Sequence, residues 1–264
     1  MNRRDFLATA AVAAAAIAPF ARRTLAQPAG VDAALLDDLV AANHILYDQA
    51  VVDGFGHVSV RDPKDPNRFF MARSMAPGLV GKADIQAIDL NGAVLADDKR
   101  PAYLERFIHS GIYKARADVK AIVHSHSPAV IPFGVTNAGL RPIYHMSSFL
   151  GGDAVPVFEI SKTAGDSDML VRNQKLGDAL AESLGKHPVV LMRGHGSVAV
   201  GDSLMEVVFR SVYTETNARL QSEAMRLGSV RFLSPGEAEL AMKTNKAVQS
   251  RAWELWKRKV QPGK

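Results

Sequence analysis

Two histidines one residue apart, His124 and His126, close an apolar run that begins at Val119. Alternate side chains of a strand leave it on the same face, so both imidazoles would point one way and could share an ion. The same spacing also fits two polar residues on a strand edge. A metal reading therefore needs a third ligand and a carboxylate from elsewhere in the chain. His195 is the candidate ligand: it lies in Arg193-Gly-His-Gly196, straight after the continuous apolar run Val189–Met192. A histidine between glycines at the end of a buried strand is poorly explained as core packing, because glycine lets the backbone approach a partner closely. Glu105 supplies a carboxylate, and His109 lies four residues on, one helical turn along the same face. That pair reads either as acid/base groups or as a solvent-exposed couple. The chain holds no cysteine, so any metal would be bound by nitrogen and oxygen.

The elements that must position these groups follow from periodicity. Leu35, Leu36, Leu39, Val40, Ile45 and Leu46 recur at helical spacing over residues 31–51. Asp53-Gly-Phe-Gly then turns into a strand in which His57, Ser59 and Arg61 alternate with Val58 and Val60 and share the opposite face. That face is either polar and solvated or part of a site. Strands are expected over 68–73 and 85–90, with Asn91-Gly92 as a hairpin turn. Pro101 suits the first position of a helix carrying Glu105 and His109 and ending near Arg116. A second amphipathic helix is expected over 170–184. A long helix capped by Asp202-Ser203 should run to Leu227, with Leu204, Val207, Val208, Val212 and Leu220 on its packing stripe. A last helix from Ser234 carries Trp253 and Trp256, which would cover this subunit or a neighbour. His145 has no role from spacing and reads as structural.

Composition bounds the rest. The 264 residues are 47% hydrophobic, enough for one sizeable domain, and no linker or repeat divides residues 27–264. Of the formal charge of +5, Arg3, Arg4, Arg22 and Arg23 against Asp5 contribute +3. The remaining +2 is too small and dispersed to be a nucleic-acid footprint. Residues 1–26 read as an export signal: a basic start, an alanine-rich apolar run and small residues before a cut after Ala26. The Arg3-Arg4 pair followed by Phe6-Leu7 resembles the twin-arginine motif, which places the mature chain in the periplasm, with no membrane association after cleavage.

Gly56-His-Val-Ser59, Glu105-x-x-x-His109, His124-x-His126 and Arg193-Gly-His-Gly196, in this order, resemble the class II aldolase/adducin family over roughly residues 32–230. The resemblance implies an α/β fold, a three-layer α/β/α sandwich around a mixed, mostly antiparallel sheet. It also implies His124, His126 and His195 as ligands of one divalent ion per subunit, with zinc, manganese and iron all compatible with imidazole. Glu105 would be the acid/base carboxylate and in some members touches the ion. A homotetramer with sites between subunits is expected. The aldolases of sugar phosphates carry a Ser-Ser pair before the glutamate, whose hydroxyls help hold the phosphate; here Tyr103 and Leu104 stand there. Phe55-Gly-His-Val-Ser-Val-Arg, Tyr103-Leu-Glu-Arg-Phe-Ile-His and Leu191-Met-Arg-Gly-His-Gly look closer to the branch of decarboxylases that includes hydroxy-methylpyridine-dicarboxylate decarboxylase. The expected activity is then metal-assisted C–C cleavage of a small carboxylated substrate. Decarboxylation is preferred over aldol cleavage of an unphosphorylated hydroxy-keto acid, with an oxygenase or a non-catalytic binding domain as competitors. Glu105 or His109 would deliver the proton. His57, Ser59, Arg61, Arg73 and Arg193 are the candidate substrate contacts, the arginines by gripping a second carboxylate.

Overall fold

The computed structural model describes residues 31–261, so the expected export signal and its expected cut lie outside the described residues. Helix α1 (Ala33–Asp48) starts where the Asp32 carboxylate accepts the Ala34 N–H at 2.9 Å. Three strands follow, β1 (His57–Arg61), β2 (Arg68–Ala72) and β3 (Ile85–Asp89). Then come α2 (Arg106–Ala115), β4 (Ala121–Ser125), the short α3 (Ile131–Val135), β5 (Val157–Phe158), α4 (Ser161–Ala164) and α5 (Gln174–Leu184). The chain ends with β6 (Val189–Met192), β7 (Gly196–Gly201), α6 (Leu204–Leu227), α7 (Pro235–Val248) and α8 (Ser250–Val260).

The seven strands form one sheet in the order β3-β2-β1-β4-β7-β6-β5, antiparallel except for the β5–β6 pair. One face carries Val58, Val60, Phe70, Val123 and Leu191 against α1, α6 and Trp256 of α8. The other carries Phe69, Met71, Ile122, Val190 and Val198 against Ile108, Ile112 and Tyr113 of α2 and Leu176 and Leu180 of α5. The expected α/β/α sandwich around a mixed sheet is what the chain forms. β4 lies at its centre, with Ile122 and Val123 buried on opposite faces, which is why its sequence is apolar without alternation. Helices α2 and α5 cross in backbone contact: a Cβ on Gly111 would stand 2.4 Å from the Gly177 carbonyl carbon, and one on Gly177 would stand 2.1 Å from the Phe107 oxygen.

Several boundaries differ from expectation for local reasons. Residues 101–104 are not helical. The Pro101 carbonyl accepts the Ser74 N–H, and Tyr103 Oη donates to the Met75 carbonyl, so this stretch is tied to the loop after β2. Helix α2 consequently begins only at Arg106, with Glu105 as its cap residue. Helix α5 begins at Gln174, where the Asn173 side chain accepts the Leu176 N–H, and residues 170–172 stay out of it. Leu220 is 43% exposed. On that part of α6 the buried positions are Asn217, Ala218 and Gln221, and the amides of Asn217 and Gln221 hold the backbone of Gly139, Arg141 and Ile143. The last helix is two helices meeting at Gln249. Trp256 packs on Tyr213 within this chain's own core, and Trp253 lies against the same cluster. His145 is exposed, and its carbonyl accepts the Asn245 side-chain amide at 2.6 Å.

Candidate metal centre

β4 ends at Ser125, and its register sets the site: His124 stands opposite His57 of β1 on one side and Val198 of β7 on the other. The turn from β6 to β7 brings His195 back to the same place. Gly194 takes φ +65° in that turn, and a Cβ on Gly196 would stand 2.0 Å from the Ser125 oxygen, so only glycine permits the approach. The result is a cluster of His124, His126, His195 and Glu105 whose ligand atoms all lie within 4.8 Å of one another. Nε2 of His126 is 3.0 Å from Nε2 of His124 and 2.9 Å from Nε2 of His195. Glu105 Oε2 lies 3.5, 4.0 and 3.3 Å from the Nε2 atoms of His124, His126 and His195.

The hydrogen bonds behind the rings decide what the front can do. His124 Nδ1 faces the Ser197 carbonyl at 3.1 Å and His195 Nδ1 faces the Met169 carbonyl at 3.0 Å. A carbonyl only accepts, so both rings carry their hydrogen on Nδ1 and present bare Nε2 lone pairs to the centre. His126 can donate to only one of them. Three imidazoles thus converge with too few hydrogens between them, which a divalent cation relieves. Ligands at about 2.0–2.1 Å around a tetrahedral zinc-sized ion stand roughly 3.3 Å apart, and the observed separations bracket that value. The donor set therefore fits a divalent metal.

Burial pushes the His126 imidazole down to about 4, helped by His124 and His195. Burial alone would raise the Glu105 carboxyl, yet His124 and His195 outweigh it and hold it well below the usual carboxylate range. Burial likewise pulls His195 down, but Glu105 overcomes this and leaves it raised. Glu105 Oε1 is fixed by the Val171 N–H at 2.9 Å, which leaves Oε2 toward the imidazoles. Met169 and Val171 thus hold the cluster through backbone groups that every residue possesses, and no sequence signal marks them.

Of the other expected site residues, His57 lines the site and the rest lie behind it or elsewhere. His57 and Ser59 are buried beneath α2, not solvated. His109 is fully buried behind His57, with Nε2 at 2.7 Å from His57 Nδ1 and Nδ1 at 2.6 Å from Ser59 Oγ. Glu105 stands one turn before it, as the cap residue of α2. Arg61 is 6% exposed and spends its guanidinium on the carbonyls of Val119, Pro66, Tyr113 and Arg116. Arg73 pairs with Asp84 at 2.9 Å, and Arg193 pairs with Glu159. Beside the cluster opens a cavity of about 630 Å³, walled by Phe55, Met75, Ala76, Tyr103, Leu104 and Leu170, with His57, Glu105, His124 and His126 at its base. No arginine or lysine is among its described lining residues. The apolar wall was not foreseen as a site, since such residues read as ordinary packing.

Sheet order and ligand geometry define the class. The chain belongs to the class II aldolase and adducin family, whose N-terminal domain matches residues 37–222. It is 38% identical to decarboxylase tropJ of Talaromyces stipitatus, over 85% of this chain and 93% of that one. A 3,4-dihydroxyphthalate decarboxylase of Arthrobacter keyseri is 28% identical over 72% of this chain and 78% of its own. Among solved structures, L-fuculose 1-phosphate aldolase from Glaciozyma antarctica superposes with a TM-score of 0.71 at 24% identity, covering 86% of this chain and 88% of that one; this likeness concerns the fold.

Proposed function

We propose that the protein is a metal-dependent carboxy-lyase acting on a hydroxy-aromatic or β-keto carboxylic acid. The observation that carries this reading is the three-histidine, one-carboxylate cluster at the base of an apolar cavity without a cationic wall. A phosphate dianion or a remote second carboxylate would find no arginine there, whereas a flat ring would find Phe55, Met75, Tyr103 and Leu170. The decarboxylases among the relatives support the same direction. His124, His126 and His195 would hold the ion, with Glu105 beside them. A bound divalent cation supplies Lewis acidity toward the negative charge that grows on a substrate oxygen as carbon dioxide leaves. Glu105, ionised and held through Oε1 by the Val171 N–H, would use Oε2 to hold or move a proton at the reacting carbon. His109, lacking access to the cavity, acts only through His57.

The exposed Phe55 and Leu104, at 68% and 59%, flank the cavity and favour a second copy covering it, in line with a homotetramer. Twin-arginine export to the periplasm belongs to the same proposal and rests on residues 1–26.

The test is elemental analysis of anaerobically purified protein with a panel of hydroxy-aromatic and β-keto acids. Stoichiometric zinc, manganese or iron with carbon dioxide release is expected, and His124→Ala and His195→Ala should lose both. Aldehyde release without carbon dioxide would point to aldol cleavage. A metal-free, fully folded wild type would sink the proposal.

A further inference from the structure

Four histidines crowd the base of the cavity and the cluster beside it, and three of them, His124, His126 and His195, converge with Glu105. The fourth, His57, stands opposite His124 across the strand pair, with ring centroids 5.0 Å apart. Behind it runs a buried chain of hydrogen bonds: Tyr113 Oη to Ser59 Oγ at 2.8 Å, Ser59 Oγ to His109 Nδ1 at 2.6 Å, and His109 Nε2 to His57 Nδ1 at 2.7 Å. All four residues are buried, and their side chains come from two adjacent elements, β1 and α2. The direction of the chain is fixed at its far end. Tyr113 Oη has two partners, Ser59 and the Lys120 carbonyl, and the second is 3.5 Å away. That carbonyl already accepts the Arg61 backbone N–H at 2.8 Å. A hydroxyl gives its single hydrogen to the shorter, better contact. Tyr113 therefore donates to Ser59, Ser59 to His109 Nδ1, and His109 Nε2–H to His57 Nδ1. His57 Nδ1 is left as an acceptor, so its hydrogen sits on Nε2. No hydrogen bond to a described residue occupies that atom, and His57 lines the cavity.

We propose that His57 meets the substrate as an Nε2–H donor to an anionic carboxylate or phenolate oxygen beside the metal position, held in that tautomer by His109, Ser59 and Tyr113. This rests on the carboxy-lyase reading for the identity of the acid. Two of the candidate ligands and His57 are thus set apart by opposite ends of the ring: His124 and His195 are tied through Nδ1–H to carbonyls, whereas His57 accepts at Nδ1. The arrangement explains why His57 is not a fourth imidazole ligand although its ring touches His124. A fixed donor aimed at an oxygen that gains charge contributes in the manner of an oxyanion hole. Ser59, His109 and Tyr113 are positioning residues, reaching the substrate only through His57.

The decisive measurement is the nitrogen NMR spectrum of ¹⁵N-histidine-labelled protein at neutral pH, with and without zinc. His57 is expected among the imidazoles protonated at Nε2 rather than Nδ1, beside His109 and His44, and the one such signal that disappears in His57→Gln is its own. Tyr113→Phe, which removes the hydrogen that polarises the chain, should move this signal toward a mixture of tautomers. His57 found protonated at Nδ1, or a signal indifferent to Tyr113→Phe, overturns the proposal. In the zinc-loaded protein, 2-hydroxybenzoate should bind about tenfold more weakly to His57→Phe, as expected for one hydrogen bond to a charged group. His57→Gln, which retains an N–H donor, should recover most of that loss, and zinc content should stay unchanged in both. Unchanged affinity in His57→Phe, no binding to the wild type, or zinc lost from either folded variant overturns the donor role. Should His57→Phe not fold, the wild-type spectrum decides alone. Failure of the wild type to take up zinc would instead sink the carboxy-lyase reading, and the tautomer would still be measurable in the metal-free chain.

Discussion

His109 and His126 are both held below the ordinary imidazole value of 6.5, to about 3 and about 4, with burial as the leading cause. The sign follows from proton counting. Between those values and 6.5 the unfolded chain binds more protons than the folded one, so stability rises with pH across that window. Their contribution is fully present above 6.5 and is lost as pH falls through about 4 and then about 3. The depressed Glu105 acts in the same direction at the acid end, and the raised His195 opposes it more weakly near neutrality. Thermal melting of metal-free protein should therefore give a midpoint that is nearly level above pH 6.5 and falls steeply toward pH 4; a midpoint unchanged down to pH 4 would contradict the buried-imidazole picture. At this scale the sequence was readable where side-chain type carries the chemistry. His124, His126, His195 and Glu105 converge as their types and order suggested. The arginines were misplaced because charge is visible in a sequence and its partner is not. Asp84 for Arg73, Glu159 for Arg193, and four carbonyls for Arg61 are brought up only by folding.

Among the elements, the polar face of β1 was legible as a shared face, but its cover was not. Nothing local announces that α2 will lie on it, since that depends on α2 and α5 touching backbone to backbone at Gly111 and Gly177. The same contact yields a prediction. Gly177→Ala puts a methyl at 2.1 Å from the Phe107 oxygen, a rigid group that cannot rotate away. Overpacking of this kind costs about 1–3 kcal/mol, and the upper half of that range is expected here. Urea denaturation should show a lower midpoint at unchanged slope. The shift of α2 should also disturb the His109–His57 contact, which the tautomer spectrum would register. Helix starts were the weakest expectations, and tertiary ties explain why: Pro101 is an acceptable first residue, yet Ser74 and Met75 hold residues 101–103 outside the helix. The 24-residue α6, by contrast, begins where Ser203 accepts the Glu206 N–H at 3.1 Å, as its sequence suggested.

At the scale of the whole molecule, export and assembly make one joint prediction. Cells expressing the full chain should hold it in the periplasm, cut after Ala26 and sedimenting as a tetramer. Arg3→Lys combined with Arg4→Lys should keep it in the cytoplasm. Periplasmic protein from that double variant would end the twin-arginine reading, and a monomer by sedimentation would end the tetramer. The sheet itself limits how copies can join. One edge strand, β5, has only two residues, and the other, β3, has its outer side engaged at Ile88 by Val94 of the following hairpin. A long bare edge is a template onto which a stray strand can zip, and neither end of this sheet offers one. The proposed tetramer would then be built through side chains of helices and loops, and the same closure guards a concentrated protein against runaway strand-to-strand polymerisation.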